Sequence, residues 1–134
     1  VVRNPDSVHP AAPLVLDGDE LELISVALDG RALDASGYAA DATHLSIPGV
    51  PARFALETRV RIRPHQNTAL EGLYTAKNGF FTQCEAQGFR RITYFIDRPD
   101  VMAKYAVTIH ADREKYPVLL SNGNPAGVGY EAGD

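Results

Sequence analysis

A chain of 134 residues with 45% hydrophobic and 22% charged side chains fits one globular domain with one core, large enough to bury roughly two-thirds of its unfolded surface. Its net charge of −4 gives no electrostatic reason to bind nucleic acid or an anionic membrane surface, so neither is expected as a partner. No apolar run reaches the roughly 18 to 20 residues of a membrane span, no leader-like segment opens the chain, and the lone Cys84 can make no internal disulfide; a soluble, cytoplasmic protein is the expectation.

In chain order, turn residues punctuate short apolar segments as an all-β domain requires. Asp17-Gly18-Asp19 opens the run Glu20 to Leu28, in which Leu21, Leu23 and Val26 cannot share a face without a shift, so a short helical turn feeding a strand is expected. Asp29-Gly30 reads as a hairpin turn, because glycine tolerates the positive φ such turns demand, and Arg31-Ala32-Leu33 begins the return strand. Ala42 to Ile47 continues the meander until Pro48-Gly49-Val50-Pro51 breaks it. The clearest alternation sets Phe54, Leu56, Thr58, Val60 and Ile62 against Glu57, Arg59, Arg61 and Arg63, which predicts a strand with one buried and one solvated face. Further strands are expected around Tyr105, Val107 and Ile109 and at Val118-Leu119-Leu120, the latter ending in the turn formers Ser121 to Asn124. Together these segments predict a mostly β fold, an antiparallel sandwich or saddle-like pair of sheets occupying residues 1–134 as a single, partial domain.

The segment that carries chemistry lies between Gly72 and Asp100. Leu73-Tyr74-Thr75 and Phe80-Phe81-Thr82 flank Asn78-Gly79, a dipeptide suited to closing a hairpin. Gln83 and Glu85 then emerge at or just beyond a strand end. Two residues apart on an extended chain they face one way, and a carboxylate beside a neutral amide oxygen matches an ammonium group. The same spacing equally describes a solvated polar pair. Arg90 and Arg91 read as ion-pair partners for Glu85, Asp97 and Asp100; Asp97-Arg98-Pro99-Asp100 reads as a turn, and Tyr94, Phe95 and Ile96 as packing residues. Cys84 should point away from its two neighbours as a buried, inert thiol.

The ordered run TQCEAQGFRRITYFIDRPD, residues 82–100, with Asn67 to Tyr74 before it and Lys115 to Asn124 after it, resembles the N-terminal β-domain of the zinc aminopeptidase (gluzincin) family, and within it the bacterial aminopeptidase N group. The resemblance is strong from Asn67 to Asn124 and weaker before. It implies that Gln83 and Glu85 bind the free amino group of a peptide substrate in a site housed mainly in the next domain, which is the other implied partner. Gln87 departs from the pattern, since bacterial members often carry an acidic residue there. The opening at Val1 without Met and the ending at Glu131 to Asp134 without a closing strand read as those of an excised piece; self-association through a cut sheet edge is therefore expected.

The family implies zinc, bound outside this chain. The four histidines, His9, His44, His65 and His110, precede Pro10, Leu45, Gln66 and Ala111, so none begins H-E-x-x-H, and the single methionine, Met102, precedes Ala103, so the family's Gly-x-Met-Glu-Asn segment is absent. The chain by itself is expected to be inactive, with no catalytic or metal-binding residue. Two alternatives come from other classes: a β-sandwich interaction module, or a docking scaffold in which Gln83 and Glu85 merely bond the next domain.

Overall fold

The computed structural model of the protein describes residues 1–3, 9, 12–77 and 79–131. The chain divides into two compact units, Val1–Met102 and Ala103–Asp134. The first is built from antiparallel strands: β1 (Leu14–Asp17), β2 (Glu22–Leu28), β3 (Arg31–Ala32), β4 (Ala39–Ala40), β5 (His44–Ile47), β6 (Leu56–Arg61), β7 (Gly72–Ala76) and β8 (Gly79–Gln83). They form two three-stranded sheets, ordered β1-β5-β4 and β3-β2-β6, and a separate β7-β8 hairpin.

One apolar cluster joins the two larger sheets. In the β1–β5 register Leu14 lies opposite Ile47 and Leu16 opposite Leu45, so four buried side chains share one face, and Val26 of β2 meets them from the other sheet. Val50, Phe54 and Tyr94 complete the core. This is the sandwich logic of alternating residues turned inward from two sheets. β6 follows its sequence pattern residue by residue, with Leu56, Thr58 and Val60 partly buried and Glu57, Arg59 and Arg61 exposed.

Beside these agreements stand several differences. The shift needed by Leu21, Leu23 and Val26 is made by a β-bulge between Leu23 and Ser25 rather than by a helical turn, because pairing with β6 continues on both sides of it. Asp29 and Gly30 both take positive φ, 50° and 78°, and Leu28 pairs with Arg31 across the expected hairpin turn. Asn78 of the Asn78-Gly79 turn lies outside the described residues; on either side of it Ala76 pairs with Gly79. The strands expected near Tyr105 to Ile109 and at Val118 to Leu120 are absent. In the second unit every described residue except the half-buried Tyr116 is exposed, and an alternating pattern becomes a strand only against a hydrogen-bonded neighbour. Ala132 to Asp134, part of the expected open ending, are outside the described residues.

Candidate functional site at the end of the β7-β8 hairpin

Gln83 is the last residue of β8 and pairs with Gly72, the first of β7. Glu85 begins a turn rather than extending the strand. The chain then folds back, the Gly88 amide donating to the Cys84 carbonyl at 2.9 Å, and a 3-10 turn over Phe89–Arg91 follows. The peptide after Glu85 is cis. Because Glu85 lies in a turn, the two side chains are related by the local fold and not by strand alternation: the Gln83 Nε2 donates to the Glu85 main-chain oxygen at 3.1 Å. Both residues are exposed. Among the described residues, neither the Gln83 amide oxygen nor the Glu85 carboxylate has a hydrogen-bond or ion-pair partner.

What holds this loop is a set of ion pairs that leaves Glu85 out. Arg90 takes Asp97, with Nε 3.0 Å from Oδ2, while its own amide donates to the same oxygen at 3.1 Å and a guanidinium nitrogen donates to the Asp97 carbonyl at 3.0 Å. Asp17 of β1 stands 3.6 Å from Arg90 and accepts the Asp97 amide at 3.0 Å. Arg91 is held by Asp19 and Glu20, each at 2.7 Å, with Glu71 at 3.8 Å. The expected Arg90–Asp97 pair is therefore present. Asp100 instead takes Arg98, whose Nε donates at 2.9 Å, and Glu85 pairs with neither Arg90 nor Arg91. Arg90 is neutralised by Asp97 and Asp17 and Arg91 by Asp19 and Glu20, so among the described residues neither cation takes up the Glu85 charge.

The flanking packing residues behave as read from sequence. Tyr94 is buried in the core, Ile96 packs against it, and Phe89 meets Phe95 edge to face at 5.2 Å. Burial raises the Tyr94 hydroxyl pKa, with the Asp41 carboxylate adding to it. The turn after Asp97 is centred one residue later than expected, closed by the Val101 amide on the Arg98 carbonyl at 3.1 Å. Cys84 is half-buried and unpaired by disulfide, and its thiol pKa is raised, by desolvation first and then by the Asp97 carboxylate. A raised pKa disfavours the thiolate and with it nucleophilic chemistry.

A cleft of about 280 Å³ is lined by Asp19, Glu20, Arg63, Asn67, Leu73 and Arg91 among others, but its arginines are already paired, Arg63 with Glu22 and Arg91 as above. It does not include Gln83 or Glu85. Among the described residues no three His, Cys, Asp or Glu side chains stand close enough together to hold a metal ion, so their donor set does not fit zinc.

Residues 7–131 match the family model of the peptidase M1 N-terminal domain. The chain belongs to that family. It is 56% identical over 117 residues to aminopeptidase N of Caulobacter vibrioides, covering 87% of this chain and 13% of that protein. With aminopeptidase N of Escherichia coli the identity is 48% over 118 residues, covering 88% and 13% respectively. Among solved structures it is similar to Legionella pneumophila aminopeptidase A, crystallised in complex with aspartic acid, with a TM-score of 0.85 and 36% identity over 91% of this chain and 14% of that one. The chain thus spans only a small part of the length of the relatives it matches.

Membership of the peptidase M1 N-terminal family places the block around Gln83 and Glu85 inside the matched region. Sequence reasoning did not single out Gly88 or the carboxylates that hold Arg91. Asp19 and Glu20 are about seventy positions away from that arginine and carry no local signal.

Proposed function

We propose that this chain is the non-catalytic recognition portion of a longer zinc-dependent aminopeptidase, where it binds the free amino group of a peptide substrate. Glu85 is the charge partner of the α-ammonium and the Gln83 amide oxygen a second acceptor. One observation carries this reading: an exposed carboxylate at a strand end, seated on a loop fixed by ion pairs, that has no partner of its own among the described residues. The names of the relatives, aminopeptidases N and A, support the substrate class. The metal and the bond-breaking groups of such an enzyme lie outside these residues, and the part played here is to bind and orient.

An ammonium held at a fixed place sets how much chain can precede the cleaved bond. A peptide extended at its N-terminus would leave Glu85 facing an uncharged amide, and an acceptor built for a cation penalises that loss more than a lost methylene does. The test is steady-state kinetics of the full-length protein that contains this chain. Glu85→Ala should raise KM for free-amine peptides and lower kcat/KM by roughly ten- to a hundred-fold, the equivalent of about 1.5–3 kcal/mol for a hydrogen bond to a charged group. Unchanged kinetics would remove the role and leave a docking module.

A further inference from the structure

Resting on that reading of Gln83 and Glu85, we infer that Gly88 is a positioning residue for amine selectivity, because the loop presenting the two acceptors closes only where no side chain stands at position 88. Gly88 is buried. A Cβ built there would lie 2.4 Å from the Gln83 carbonyl oxygen, 3.0 Å from the Gly72 nitrogen and 3.1 Å from the Cys84 Cα. All three are main-chain atoms, so no rotamer change can make room. The backbone that must yield belongs to Gln83 and Cys84 on one side and to the first residue of β7 on the other.

This contact has a different meaning from an ordinary tight turn. Gly88 also donates its amide to Cys84, which closes the five-residue return from Cys84 to Gly88, while the Gln83 side chain spans the same loop to the Glu85 carbonyl. Gly88, Gln83 and Glu85 are therefore one unit: moving the glycine moves both acceptors together. A displacement on the order of 1 Å at a charge-assisted site is enough to cost about a hundred-fold in the worst case, and a shift relieved partly by the loop costs less. The position is fixed by what the loop must avoid, not by anything Gly88 touches on a ligand.

The experiment compares two competitive inhibitors on the full-length protein: a free amino acid and its des-amino counterpart, the same carbon skeleton without the ammonium. Gly88→Ala is expected to weaken the amino acid about ten-fold while changing the des-amino compound less than about two-fold, with a thermal melt confirming a folded protein. Equal loss for both compounds, or no loss, overturns the inference, since a merely structural role has no reason to distinguish them. If Gly88→Ala does not fold, a single glycine inserted after Ala86 lengthens the loop without adding a Cβ, and the same two outcomes decide. Glu85→Gln separates the layers. If it fails to weaken the amino acid selectively, the recognition reading falls and this inference with it; if it does so while the loop variants do not, the inference alone falls.

Discussion

At the scale of single residues, Asp97 anchors the loop while Glu85 is left open. The Asp97 residue is 8% exposed, yet it accepts from both the Arg90 amide and its guanidinium. Asp97→Ala would strand a cation with 25% of its side-chain surface in water and free one main-chain donor. The expected cost is about 2 kcal/mol, below the 3–5 kcal/mol of a fully buried pair because Arg90 keeps that water contact and the Asp17 carboxylate nearby. Urea unfolding of the chain measures it, and a change under about 0.5 kcal/mol would mean the pair is ornamental. Cys84 gives a second reading of the same neighbourhood. Its thiol pKa is raised by burial and by Asp97, so at any pH below that value the native thiol holds less thiolate than an unfolded one. Alkylation at pH 8 should then be slower in the native chain than in urea, with the native rate rising only at higher pH; equal rates would contradict the burial.

At the scale of elements, what was legible in the sequence is whatever is decided locally. The Leu56 to Arg61 strand was readable because one face of it is solvated, and Asp29-Gly30 because a two-residue turn with positive φ at both positions has few sequence solutions. The bulge at Ile24 was visible only as a conflict of periodicity, and its resolution belongs to the register with β6. β1 went unread, although Leu14 and Leu16 are core residues, since four residues give too little period to count and its identity depends on β5 thirty positions later. Tyr105, Val107 and Ile109 failed in the opposite sense, a good alternation with no strand pairing among the described residues to complete it. For the candidate site, the position of Gln83 at a strand end was legible, but the presentation of Glu85 was not: it lies in a turn whose closure depends on Gly88 meeting Gly72, a contact sixteen positions apart. Two glycines separate these effects experimentally. Gly30→Ala meets nothing within 4 Å and should cost only the left-handed backbone penalty, about 1–2 kcal/mol, with no change in ligand selectivity. Gly88, at φ −85°, carries no such penalty and meets a main-chain clash instead, with a Cβ only 2.4 Å from the Gln83 carbonyl oxygen, so thermal melts of the two variants should differ in favour of Gly30→Ala.

At the scale of the whole molecule, stability and exposure are unevenly divided along the chain. Among the described residues, the eight buried apolar side chains, from Leu14 to Tyr94, fall within the unit Val1–Met102, and so do Gln83, Glu85 and Gly88. The unit Ala103–Asp134 shows Val107, Val118, Leu120 and Val128 to solvent, although the family match runs on to residue 131. Surface already exposed in the native state contributes nothing to the driving force for folding and nothing to the denaturant slope, which scales with area newly exposed on unfolding. A chain ending at Met102 should therefore unfold cooperatively with its thermal midpoint within a few degrees of the 134-residue chain and with nearly the same urea slope. In the longer chain, trypsin should cut first at Lys104, Arg113 and Lys115, all exposed, before Arg59 or Arg61 within β6. A midpoint lowered by more than about ten degrees in the shortened chain would correspond to more than 1 kcal/mol lost from a domain of this size. That outcome would show that residues beyond Met102 supply apolar burial to the sandwich, and the placement of the whole core before residue 95 would have to be given up.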